Sequence, residues 1–153
     1  MGNIYSSLID KGFKPEQNLS YRKTVSVSEK GKSYILDVSD KKQSAQFQVD
    51  GCIIVGGKKC DKLILVEFNS DSWAEILAEL KGKDVAHAID QLECSLKDKN
   101  LQHKTITESR ARIVATSFPA SKSDPMMEEA KKRFRQLYKC DLRGFKSMQK
   151  DHI

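Results

Sequence analysis

Trp73 to Gln91 reads WAEILAELKGKDVAHAIDQ. Its first nine residues are apolar apart from charges at regular intervals, whereas the residues after Gly82-Lys83 recur at helical spacing, so a buried strand gives way to a helix across the glycine. In an extended chain side chains alternate, which puts Leu77, Glu79 and Lys81 on one side and Ile76, Ala78 and Leu80 on the other. An acid and a base therefore project together from an apolar strand. From Asp84, in the N-cap position, Val85, Ile89, Leu92 and Leu96 fall at i, i+4, i+7 and i+11, one stripe of an amphipathic helix that packs on the sheet.

Outward from this stretch the pattern stays readable. AQFQVDGCIIV (45–55) alternates and then turns apolar, KKCDKLILVEF (58–68) follows Gly56-Gly57, and WAEILAELK follows the turn-prone NSDS. Three strands joined by short polar turns predict an antiparallel meander. RARIVATSF (110–118) is a second buried strand, reached through the helical crossover and so parallel to a neighbour. Asp124-Pro125 opens the helix MMEEAKKRFRQLYK, whose apolar stripe is Met127, Ala130, Phe134 and Leu137. YILDV (34–38) reads as a further strand, and Ile4, Tyr5, Leu8 and Ile9 as a short helix ending at Gly12. The rest of residues 1–32 is polar and carries no clear period. GFKSMQKDHI at the end is either an edge strand or loose chain.

The totals bound the class. With 153 residues, 39% hydrophobic and 31% charged, the chain is the size and composition of one globular domain. An excess of 27 Lys and Arg over 21 Asp and Glu gives a net charge of +6, which favours a polyanionic partner. Cys52, Cys60, Cys94 and Cys140 have no CxxC spacing and are expected to be reduced thiols. No run of about 18 apolar residues is present to span a membrane. A soluble, cytoplasmic protein is expected.

The candidate chemistry lies across the hairpin that precedes the quoted strand. If Asn69 to Asp71 form its loop, Phe68 faces Ser72 and the ladder sets Asp61 opposite Glu79; a two- or four-residue loop moves Asp61 opposite Leu80 unless a bulge intervenes. In the first register two carboxylates and an ammonium converge. Two adjacent carboxylates repel unless a cation lies between them, and hard oxygen donors suit Mg²⁺, with Mn²⁺ as a substitute.

Asp61 followed by Glu79-Leu80-Lys81, in a meander that continues into a helix and a further strand, resembles the PD-(D/E)xK nuclease superfamily. AELKGKDVAHAIDQL is similar to the ELKG-plus-helix segment of its small members. The resemblance spans about residues 45–118. It implies an α/β restriction-endonuclease-like core, with the meander, the helix, a parallel-crossing strand and a C-terminal helix at about 124–139, all in a single domain with a mixed sheet. It implies further that Asp61, Glu79 and the Leu80 carbonyl hold the metal and that Lys81 assists the attacking water. Cys60 stands where the family name has proline, and the acid that many members carry on the helix before the meander has no convincing counterpart in Asp10 or Glu16.

Asp50 in FQVDG is a rival first carboxylate; Asp61 is preferred because it begins the strand paired with the ELK strand. Gln91 shares a helix face with Asp84 and His87 and is a candidate for orienting water or contacting substrate. Lys58, Lys59, Lys62 and Lys83 flank the motif as phosphate contacts, ahead of Lys131, Lys132, Arg135 and Lys139 on the last helix. The expected function is metal-dependent endonucleolytic hydrolysis of DNA, with a homodimer required to cut both strands. The alternative is a catalytically silent nuclease-fold module that acts as a binding or immunity protein.

Overall fold

A strand as apolar as the quoted one needs neighbours on both edges and layers on both faces, and it has them. The computed structural model describes residues 2–50, 60–80, 84–116, 118 and 125–153. These form an α/β fold with an open, mixed sheet of seven strands and three helices among the described residues. The strands are β1 (Gln17–Glu29), β2 (Lys32–Gln48), β3 (Lys62–Asn69), β4 (Ser72–Leu80), β5 (Ile106–Val114), β6 (Cys140–Phe145) and β7 (Lys150–His152). The helices are α1 (Ile4–Asp10), α2 (Val85–Leu96) and α3 (Met126–Tyr138).

The sheet order is β1-β2-β3-β4-β5-β6, with β7 paired to β2 off this path. β2, β3 and β4 form the antiparallel meander, and β4, β5 and β6 run parallel through helical crossovers. Every residue of β4 from Trp73 to Leu80 is buried. One face packs against the helices: Leu63, Leu65, Trp73, Leu77, Ala111 and Ile113 meet Ile4 and Leu8 of α1, the full α2 stripe, and Ala130 and Phe134 of α3. The other face, with Ile64, Val66, Ile76, Ala78 and Val114, is covered by Val25, Val27, Tyr34, Leu36 and Val38 from the distal half of the β1–β2 hairpin.

That hairpin covers the sheet because β2 changes its facing partway along. Asp40 and Lys41 adopt positive φ of 58° and 36°, and the β1 register shifts between Arg22 and Thr24. Before this bend the even-numbered Tyr34, Leu36 and Val38 are buried; beyond it the odd-numbered Ala45, Phe47 and Val49 are. One chain thus serves both faces.

Several sequence expectations need correction. Residues 17–29 are an ordered strand, although only Val25 and Val27 are buried in it; an edge strand held by backbone pairing has no apolar alternation to read. Leu137 on α3 is 65% exposed, so the core-facing positions of that helix reduce to Ala130 and Phe134, with Met127 partly buried. Pro125 is the N-cap of α3 and makes no side-chain cap bond; Asp124 lies outside the described residues. The tail is ordered as β6, parallel to β5, and β7, parallel to β2. Cys60, Cys94 and Cys140 are free thiols, as expected, and Cys52 lies outside the described residues. Among the described residues no helix is long and apolar enough to cross a membrane.

A buried polar network ties β7 to the parallel strands. Arg112 on β5 is 1% exposed; its Nε donates to Asp151 Oδ2 at 2.7 Å, and its Nη1 donates to the Asp141 carbonyl at 2.7 Å. The Tyr34 hydroxyl donates to the same Asp151 oxygen at 2.5 Å. Burial by itself raises the Asp151 carboxyl, but the Tyr34 and Arg112 hydrogen bonds outweigh it and hold the group below its ordinary 3.8. The stability this depression supplies is present above that ordinary value and is lost as pH falls through the lower folded one. Asp151→Ala leaves the buried guanidinium with Asp141, whose Oδ2 lies 3.1 Å from Nη2, as its ion-pair partner and is expected to cost about 1.5–3 kcal/mol in denaturant unfolding. The variant should also lose part of the wild-type stability decline below pH 4.

Candidate active site

The β3–β4 hairpin decides where Asp61 lies. Asn69 pairs with Ser72 across a two-residue turn, and a bulge at Phe68 then restores Glu67 opposite Trp73 and Lys62 opposite Ala78. The bulge adds back the residue that the tighter turn removes. Asp61 lies just before β3, one residue beyond the last paired position of the ladder. Asp61 Oδ2 accepts a hydrogen bond from the Leu80 N–H at 2.8 Å, and the Asp61 N–H donates to the Ala78 carbonyl at 3.1 Å. Its carboxylate is therefore fixed against the end of β4.

Glu79 is fully buried and sits between β3 and β5, opposite Ile113 on the parallel side. It alternates with Trp73 and Leu77, which face the helical layer. Cys60, next to Asp61, is clamped from above: its N–H donates to Ser95 Oγ on α2 at 2.8 Å, and Ser95 Oγ donates to the Gln91 carbonyl at 2.9 Å. This chain of bonds sets the half-buried Gln91 turn of α2 over the strand that carries Asp61. Burial pushes the Cys60 thiol far up, and the negative charges of Glu79, Asp61 and Glu75 push it further. Three acids thus act on one buried sulfur.

The remaining candidates divide. Asp50 is exposed, one residue past Val49, whose N–H donates to the Asp61 carbonyl at 3.0 Å and whose side chain joins the helical core. Lys62 faces the other way from Asp61; it is 5% exposed and its Nζ reaches Glu16 Oε1 at 2.8 Å and Glu29 Oε2 at 3.6 Å. That ammonium is engaged inside the fold and is not presented beside Asp61. Adjacent strand residues point to opposite faces, which is the signal that separates the two. His87 is exposed on the flank of α2, and its N–H is capped by Asp84 at 2.9 Å. Lys58, Lys59, Lys81 and Lys83 lie outside the described residues. On α3, Lys132, Arg135 and Lys139 are exposed, while Lys131 lies 3.4 Å from Glu128.

Asp61, Glu79 and the Leu80 backbone offer only oxygen donors at one level of the sheet, a set that suits Mg²⁺, which binds through one or two carboxylates and keeps its other positions for water. Among the described residues no group of three or more His, Cys, Asp or Glu forms a metal cage. Compared with protein-family models, curated proteins and solved structures, the chain gives no match.

Glu75 is not singled out by the sequence reading, although its alternation with Trp73, Leu77 and Glu79 marks it as facing the helical core. It is 3% exposed, and burial pushes its carboxyl up from 4.5 to about 8. In the unfolded chain the group ionises above pH 4.5, while the folded chain holds the proton until about 8, so stability from this residue is full at low pH and falls across that interval. Glu75→Gln, which resembles the protonated acid in shape, is expected to stabilise the fold by on the order of 3 kcal/mol at pH 8 and to flatten the decline between pH 5 and 8 in urea unfolding.

Proposed function

We propose that this chain is a metal-dependent nuclease of the restriction-endonuclease-like fold that hydrolyses phosphodiester bonds in DNA, acting as an endonuclease. The observation that carries the reading is the Asp61 carboxylate, held 2.8 Å from the N–H of Leu80, the residue after buried Glu79 in β4. The antiparallel meander, the α2 crossover and the parallel β5 supply the setting that the Asp, Glu-x-Lys resemblance calls for.

In this reading Asp61, Glu79 and the Leu80 carbonyl hold Mg²⁺, or Mn²⁺ in its place. When bound, such an ion polarises a phosphoryl oxygen and lowers the pKa of a coordinated water. The protein's own groups do the rest. Asp61 is pre-positioned by its backbone bond and needs no reorganisation when substrate arrives. Burial of Glu79 excludes bulk water from one side of the site, which strengthens the electrostatic interactions formed there. Lys81 follows Leu80 directly in the sequence, and in this reading its ammonium orients the attacking water and offsets charge on the phosphate. Gln91, in the α2 turn tied to Cys60, contacts water or the substrate backbone. Lys58, Lys59 and Lys83 neutralise flanking phosphates; Lys62, paired internally, does not. Duplex DNA is the substrate, and a homodimer brings one site to each strand.

A plasmid-nicking assay tests this. The wild type should convert supercoiled to open-circular DNA with Mg²⁺ or Mn²⁺ and not with EDTA. Asp61→Ala, Glu79→Ala and Lys81→Ala should each lower the rate by about 10²-fold or more while circular dichroism stays native. DNA affinity should fall steeply with added salt. A folded wild type that binds DNA but cleaves nothing with either metal would leave a nuclease-fold binding module as the better description.

A further inference from the structure

β4 carries a second buried carboxyl, and it belongs to a different place. Glu75 lies about 13 Å from Glu79 along the strand, at ~3.3 Å of rise per residue. It lines a cleft of about 340 Å³ that opens where β5 begins and where α2 and α3 end. Its apolar lining is Leu96, Leu101, Ile106 and Leu137, set among polar residues that include Gln102 and His103. Leu137 is the side chain left 65% exposed by α3, so the helix spends an apolar residue on the cleft and not on the core.

The floor is polar. Glu75 pairs directly with Ser109 across the parallel β4–β5 ladder, and Ser109 in turn faces Cys140 of β6. Glu75 Oε1 is buried and accepts no hydrogen bond. Leaving a carboxyl oxygen dry and unbonded is costly, and a buried strand position filled by valine would avoid that cost. Of the other polar groups in the lining, Glu108 binds Arg110 at 2.5 Å and the Tyr138 hydroxyl donates to Glu93 at 2.8 Å, while Lys139 is exposed to solvent just past α3.

We infer that this cleft binds a small organic cation, an ammonium on a short apolar body, with the ammonium donating to Glu75 and Ser109 and the body resting on the four apolar walls. A neutral hydroxyl would bring one donor to Oε1. An ammonium brings three donors and a positive charge that favours the ionised Glu75 carboxylate over the protonated form held in the free protein, and charge-assisted bonds are about twice as strong as neutral ones. The site stands apart from Asp61 and does not depend on the chemistry proposed there.

The test uses the full chain with phenethylamine as probe and phenethyl alcohol as its neutral counterpart, followed by amide shifts in ¹H–¹⁵N spectra. The amine should give saturable shifts at Glu75, Ser109 and His103, the last a residue of the cleft lining. The alcohol should bind at least about tenfold more weakly, and Glu75→Gln, confirmed folded by its spectrum, should weaken the amine by at least about tenfold, the scale of one lost charged bond. Equal binding of amine and alcohol to the wild type, undiminished binding to folded Glu75→Gln, or no saturable shift up to ~10 mM would each overturn the assignment.

Discussion

A strand paired on both edges and covered on both faces is largely shut off from water, and β4 is such a strand. Eight consecutive residues from Trp73 to Leu80 are buried in it, two of them glutamates. Each carboxyl placed there must be supplied by its surroundings with donors, charge or a proton, because solvent provides none. The two acids meet this constraint differently. Glu79 lies where β3, β5 and the strand end bring Asp61 alongside, whereas Glu75, four residues earlier, lies in an apolar setting that raises its carboxyl to about 8.

The rest of the architecture follows from keeping β4 covered. Helices α1, α2 and α3 bury one face, and the opposite face is closed by the same long hairpin whose proximal half extends the meander. The left-handed residues Asp40 and Lys41 make that double use possible by rotating β2 between its two halves. The Tyr34, Arg112 and Asp151 network then fastens β7 beneath the parallel strands, so the end of the chain closes over the middle. Such a network stabilises only while every member is present, and it sets the covering hairpin at a defined position relative to β5.

Much of this was legible in local patterns. The succession of β4 and α2, the α2 stripe with its Asp84 cap, the order of the meander and the parallel crossover all appear as expected, since each depends on residues within a few positions of one another. Where the reading stopped short, the cause was non-local. β1 is held by pairing with β2 and buries only Val25 and Val27, so no apolar rhythm marks it. Lys62 looked like a companion of Asp61 until its partners Glu16 and Glu29, from the other end of the chain, drew its ammonium to the opposite face. Leu137 continued a helical stripe past the point where there was sheet left to cover.

What the amino-acid order by itself determined is therefore the kind and succession of elements, and the alternation that puts Glu75 and Glu79 on one side of a single strand. Side-chain periodicity is a property of the backbone and needs no partner. Only the tertiary structure decided the register. The setting of β3 against β4 turned on a bulge at Phe68, which compensates a two-residue turn and pairs Lys62 with Ala78; a one-residue slip would have reversed the facing of every residue in β3. The burial that the two glutamates share was likewise settled by layers arriving from distant parts of the chain, because solvent exclusion is a property of the assembled fold and not of any segment in it.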